Sequence, residues 1–317
     1  MNHRQKRLSV SLLAIAGLLS VAPIQAASAQ TAPDLGAASY FAALGGAGVT
    51  CTTGGVVGLV GSGLEAVTSI TGFPPTSSLC TLVGEVLYAP DTDVAHANFG
   101  TAYDLLADDT GAYACPSVDA AYNLPASLDG LPALPPGVYC IGGPVTTTVG
   151  TLSGPLTLDG PADGVWIFKA NSLTTTFGGS VIMAGGGKAC NVYWQTDTAA
   201  TFADTSFLGT ILAGSSISFT NSSLDGRALA DTESVTLDTS SITIGTPGCA
   251  STKKECEASL KQDKKDFEAM QKAEKEAASP FASKEAKKDF EDEQKADKKA
   301  FDEQQKAAKE QCRTLPH

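Results

Sequence analysis

Between about residues 130 and 245, apolar and polar positions alternate in short β-branched runs cut by Gly, Asn, Asp and Ser. This is the pattern of short strands joined by tight turns. The runs recur. Gly209-Thr-Ile-Leu-Ala213, Ser216-Ile-Ser-Phe-Thr220 and Ser222-Ser-Leu224 return as Gly226-Arg-Ala-Leu-Ala230, Ser234-Val-Thr-Leu-Asp238 and Ser240-Ser-Ile242, at an offset of 17 to 18 residues. Upstream, Gly164-Val-Trp-Ile-Phe168 and Asn191-Val-Tyr-Trp194 open further copies, each leading into a Thr-rich run. A unit of this length holding three short strands is what one coil of a β-helix requires, three sides that stack on the next coil. Alternation assigns the faces: Ile217, Phe219, Val235, Leu237, Val181 and Met183 point inward, while Ser216, Ser218, Thr220 and Thr236 point outward. The core is therefore expected to be a stack of aliphatic ladders, each buried Val, Ile or Leu contributing roughly 1.5–3 kcal/mol.

Two segments carry a helical period instead. Ala95, Phe99, Ala102, Tyr103 and Leu106 fall at spacings of three and four, so residues 94–108 are expected to form a helix capped by Asp91 or Asp93 and lying along the coils. From Lys253 to Arg313 nearly every residue is a strong helix former, and Asp263-Lys-Lys-Asp-Phe267, Ala286-Lys-Lys-Asp-Phe290 and Asp297-Lys-Lys-Ala-Phe301 repeat one unit. Eleven residues complete three helical turns, which puts Phe290 and Phe301 on one face, with Phe267 able to meet them. Ser279-Pro280 breaks the pattern, so residues 251–317 are expected to fold as an α-helical hairpin with coiled-coil character, stapled at its open end by Cys256 and Cys312.

The amino terminus changes the picture of where this fold operates. Arg4, Lys6 and Arg7 precede an apolar run from Leu8 to Val21, and Ala27-Ser28-Ala29 supplies a small-residue cleavage pattern. Residues 1–29 thus read as a secretory signal peptide, with a mature domain over 30–250 and no later membrane span. The eight cysteines (Cys51, Cys80, Cys115, Cys140, Cys190, Cys249, Cys256 and Cys312) then favour disulfides in a secreted, extracellular protein.

Charge removes whole classes of partner. Between residues 30 and 250 only Lys169, Lys188 and Arg227 are basic, against 18 carboxylates, a net charge of −15. Nucleic acid and anionic membranes are excluded as partners. The tail is balanced, with 16 basic and 16 acidic residues over 251–317, and is laced with potential i,i+4 ion pairs suited to self-association or cell-envelope contact. The three histidines, His3, His96 and His317, stand far apart, so neither a His-based triad nor a His metal cluster can be assembled. No cofactor is called for.

Several ordered motifs together carry a resemblance. Leu35-Gly-Ala-Ala-Ser-Tyr-Phe-Ala-Ala-Leu44, Val67-Thr-Ser-Ile-Thr-Gly-Phe-Pro-Pro75, Pro136-Gly-Val-Tyr139, Leu156-Thr-Leu-Asp-Gly160, Val165-Trp-Ile-Phe168, Cys190-Asn-Val-Tyr-Trp-Gln195 and the two Gly-x-x-Leu-Ala units above resemble the microbial ice-binding proteins, over about residues 34–245. The resemblance implies a mainly β fold: a discontinuous right-handed β-helix of triangular section, one packed α-helix, and N-terminal strands joining the far end of the stack. It also implies that ice is bound by one flat side rich in Thr and small residues. Mapped by motif, that side contains Ser180, Thr205, Ser206, Thr220, Ser222, Ser223, Thr239, Ser241 and Thr243. A neighbouring column of Thr174, Thr176, Thr201, Ser218, Thr220 and Thr236 is the second candidate, and sequence does not decide between them. Asp225, Leu208 and Ile182 interrupt the first with charge and bulk.

The function read from the sequence is adsorption to ice, with thermal hysteresis and inhibition of ice growth and recrystallisation. The alternative is an extracellular adhesion or surface module that uses the same fold without ice activity. A polysaccharide lyase on a β-helix would need a basic residue to take a proton and clustered carboxylates for calcium. Lys169, Lys188 and Arg227 do not stand in acidic runs, and an enzyme is not expected.

Overall fold

The computed structural model describes residues 30–74, 77–115, 122–143, 148–244 and 283–314, with scattered positions between 257 and 275. Short parallel strands wind into coils with three sides. The first side runs through β8 (Asn123–Leu124), β9 (Gly137–Ile141), β12 (Trp166–Ala170), β15 (Val192–Thr196), the second halves of β17 (Ser206–Ala213) and β19 (Ser223–Ala230), then β1 (Phe41–Gly45), β4 (Leu59–Ser62) and β7 (Val86–Leu87). The second carries β10 (Val149–Leu152), β13 (Ser172–Thr175), β16 (Ala200–Ala203), β18 (Ile217–Thr220), β20 (Ser234–Asp238), β2 (Gly48–Cys51) and β5 (Ile70–Thr71). The third carries β11 (Pro155–Asp159), β14 (Ser180–Ala184), the first halves of β17 and β19, β21 (Ser240–Thr243), β3 (Gly54–Val57) and β6 (Cys80–Val83).

The coils are not stacked in chain order. β1 lies between β19 and β4, β2 between β20 and β5, and β3 between β21 and β6. Residues 41–87 therefore extend the end of the stack made by the last coil of the sequence, as the resemblance implied. β17 and β19 each turn a corner without leaving the strand, at Gly209 and Gly226, both with positive φ. A Cβ on Gly226 would overlap the Gly209 carbonyl oxygen of the coil beside it, which is why both Gly-x-x-Leu-Ala units begin with glycine.

Inside, Ile217, Phe219, Val235, Leu237 and Val181 are buried as alternation required, with the partly buried Met183 packed against them. The ladder on the first side is not aliphatic throughout. Tyr139, Phe168 and Trp194 stack in register, with ring centroids 5.3 Å and 4.0 Å apart, and give way to Ile211, Ala228 and Ala43 along the same column. Indole N–H groups of Trp166 and Trp194 donate to the carbonyls of Leu134 and Leu208, both at 2.9 Å, so these large rings leave no polar atom unpaired.

The first side is covered. Helix α1 (Asp93–Ala107) buries Ala95, Phe99, Ala102 and Leu106 against a second cluster that includes Leu44, Ile167, Tyr193, Leu212 and Leu229. Its N-cap is Thr92 rather than either aspartate; the buried Thr92 hydroxyl donates to Ser62 O at 2.7 Å and ties the helix start to β4. At the other end, the buried Lys169 ammonium donates to Asp109 Oδ1 at 2.9 Å and to the carbonyls of Asp108 and Tyr113 at 3.3 Å. One of the three cations of the domain is thus spent on holding the loop that follows α1. Disulfides join Cys51 to Cys80 and Cys115 to Cys140.

In the tail, α2 (Lys284–Thr314) is described, and the side-chain amides of Gln271 and Gln294 each donate to the other's carbonyl, at 2.9 and 2.8 Å. The expected break at Ser279-Pro280 and the Cys256–Cys312 staple lie outside the described residues, as do the side chains of Phe267 and Phe301. No described helix is long and apolar enough to cross a membrane.

Candidate functional site

With the first side under α1, two sides remain open among the described residues, and their outward residues differ. On the second side, the outward position at the centre of each strand is hydroxylated on every coil. Ser127, Thr151, Thr174, Thr201, Ser218, Thr236, Thr50 and Thr71 follow one another in strict register. Two positions further along each strand stand Thr176, Ala203, Thr220, Asp238 and Thr52; two positions back stand Val149, Ser172, Ser216, Ser234 and Gly48. Adjacent hydroxyls meet along the column, Thr71 donating to Thr50 at 3.3 Å and Ser218 to Thr201 at 3.4 Å. Two charges stand in these three columns among the described residues: Asp238, which accepts a hydrogen bond from Thr52 Oγ1 at 2.7 Å, and Asp129, two positions after Ser127, which accepts one from Ser153 Oγ at 2.5 Å. This is the threonine side.

The third side places Ser180, Ser206, Ser223 and Ser241 in one column, as the motif mapping expected. That column is bounded by Pro155 at one end and by Gly55 and Thr81 at the other. A shallow groove of about 410 Å³ runs over Gly54 and Gly55. The next column along the strands is rough, holding Leu208, Asp225, Thr243, Val57 and Val83 in register. Val83 is 66% exposed, and Ile182, on the same side, is 48% exposed. Burial pushes the Asp225 carboxyl above its usual range, with Arg227 opposing the shift.

Four residues of the mapped set are not on this side. Thr205 and Ser222 are buried in the corner between the two open sides. There the chain turns through Asp204, Asn221 and Thr239, each at positive φ, and the amides that follow need acceptors. Ser222 Oγ accepts from Thr205 N at 3.2 Å, Ser240 Oγ accepts from Ser222 N at 3.0 Å, and the Thr205 hydroxyl donates to Gly179 O. These hydroxyls hold coils together and are closed to any external ligand. Thr220 is exposed but belongs to the threonine side, and Thr239 sits on the corner itself.

Sequence reasoning named six residues of the threonine side and missed Ser127, Thr151, Thr50 and Thr71. A signal for Thr50 was present: Gly48-Val-Thr-Cys-Thr52 has the alternation of Ser216-Ile-Ser-Phe-Thr220. What hid it was chain order, because β2 joins β20 only through the discontinuity of the stack.

The profile of the ice-binding-like family matches residues 43–243, from β1 to the end of β21. The chain belongs to that family. Among relatives, the ice-binding protein of Nostoc sp. (strain HG1) is 36% identical over 223 residues, covering 68% of this chain and 76% of that protein. Among solved structures, the Shewanella frigidimarina ice-binding protein domain superimposes with a TM-score of 0.59 at 28% identity, and that of the ascomycete Antarctomyces psychrotrophicus with 0.55 at 30%. Each covers 68% of this chain and is itself covered over 98% of its length. The family points away from catalysis, and so does the commitment of Lys169 to the loop after α1.

Proposed function

We propose that this family member is an exported protein that binds ice through its threonine side and thereby restrains ice growth and recrystallisation. The observation that carries the assignment is the unbroken column of eight Ser and Thr hydroxyls on a side that no other described element covers. Parallel strands stack about 4.7–4.9 Å apart, so short hydroxylated side chains in register form a regular array near the repeats of an ice lattice. Threonine methyl groups limit competing hydration, while hydroxyls hold water in lattice positions. Each contact is weak, but all form at once on a rigid sheet whose ordering was completed on folding, so little entropy is lost on adsorption. Ice that advances between adsorbed molecules must curve, which lowers the local freezing point. The N-terminal leader pattern and the two disulfides support export.

The serine side is the alternative surface, and bulky replacements separate the two. Thr201→Tyr and Thr236→Tyr, on neighbouring parts of the threonine column, are each expected to remove most of the thermal hysteresis with unchanged circular dichroism. Ser223→Tyr and Thr243→Tyr should leave it near the parent value. The reverse pattern would move the ice-binding surface to the serine side; loss from neither pair would leave no role for either.

A further inference from the structure

The chain leaves the stack at a definable place. Ile244 follows β21 at the vertex between the serine side and the covered side, where its amide donates to Val57 O at 3.1 Å. There its Cδ1 would lie 2.6 Å from a Cβ built on Gly58, the residue that joins β3 to β4. In a three-sided coil this is the vertex opposite the threonine side. The tail therefore departs from the edge farthest from the proposed ice-binding surface.

The tail itself is built to stay in liquid water. α2 has 31 residues, about 46 Å at 1.5 Å per residue, and Lys284, Glu285, Lys287, Lys288, Glu291 and Asp292 are exposed along it. Opposite charges alternate, with Lys287 3.7 Å from Glu291 and Lys295 3.0 Å from Asp292. Ammonium and carboxylate groups are strongly hydrated, and neither fits an ice lattice.

We propose that this charged helical tail is an overgrowth barrier. It raises the height of the adsorbed protein above the ice surface, and so the supercooling at which advancing ice engulfs it, without touching ice. The inference rests on the threonine side being the ice-binding side. For ice to engulf an adsorbed molecule, the fronts on either side must close over its top, and a taller obstacle forces more curvature before they meet.

The test measures plateau thermal hysteresis and uptake into a slowly grown ice hemisphere for four proteins. These are the full chain, a chain ending at residue 250, a chain with residues 251–317 replaced by an unrelated charged helical hairpin of equal length, and the full chain with a compact domain appended after His317. The shortened form is reasonable because solved relatives matched over 98% of their length by 68% of this chain are folded proteins; circular dichroism checks it, and the appended form does not depend on it. Uptake should be equal for all four. Hysteresis should drop on shortening, return with the unrelated hairpin and rise further with the appended domain. Equal hysteresis across the set at equal uptake overturns the barrier, as does recovery only with the native tail sequence. No uptake by the full chain would instead overturn the ice-binding reading beneath it.

Discussion

At the scale of single residues, the side of a strand on which a hydroxyl falls decides its use. Thr174 faces out and joins the external column, whereas its neighbour Thr175 is fully buried in the core, its Oγ1 unpaired among the described residues. Alternation made that distinction readable from sequence. The corner residues Thr205 and Ser222 escaped it, because alternation fails where the chain turns through positive φ and a backbone amide recruits the nearest hydroxyl. A second residue-scale effect concerns pH. His96 on α1 is half-buried with its Nε2 unpaired among the described residues, and burial lowers its pKa below 6.5 while Asp231 and Asp93 oppose the shift. The folded state then binds fewer protons than the unfolded state below the unfolded pKa, so stability present above it is lost as pH falls towards the folded value. The thermal midpoint should therefore decline between pH of about 7 and 5, and His96→Gln should flatten that decline. An equal slope in both proteins would remove His96 from the account.

At the scale of elements, strands and helix were legible for different reasons. The strands over 217–220 and 234–238 follow from period-two alternation between turn residues, and the helix from its apolar stripe, observed one residue earlier at each end than expected. Its cap was not legible. Thr92 takes the position because its hydroxyl is needed by Ser62 O, a residue 30 positions away whose proximity only the fold creates. What holds α1 down is the stripe centred on Phe99, which is fully buried and 5.8 Å from the Tyr103 ring. Phe99→Ala is expected to cost about 3–5 kcal/mol, read as a lowered denaturant midpoint, while hysteresis at temperatures where the variant is folded stays at the parent level. A loss of hysteresis with intact folding would mean that the covered side contributes to ice contact after all.

At the scale of the whole molecule, two of the eight rungs of the threonine column, Thr50 and Thr71, come from the N-terminal segment, and the Cys51–Cys80 bond binds their coils together beneath the surface they present. Closing a loop of 29 residues constrains the unfolded chain by about 3–4 kcal/mol. Replacing both cysteines by Ala should lower stability by about that amount, speed amide exchange in β5 and β6, and reduce hysteresis as Thr71 and then Thr50 leave the array. Unchanged exchange in β5 would show that packing alone fixes that end. By itself the sequence determined the coil length, the inward and outward sets, the covering helix and the absence of basic surface from the domain, because each follows from local periodicity or from counting charge. The order of the coils, the burial of the corner hydroxyls and the choice between the two open sides were decided by tertiary structure. Local alternation states which way a side chain points along its own strand, but only the register between strands distant in sequence states whether such side chains line up.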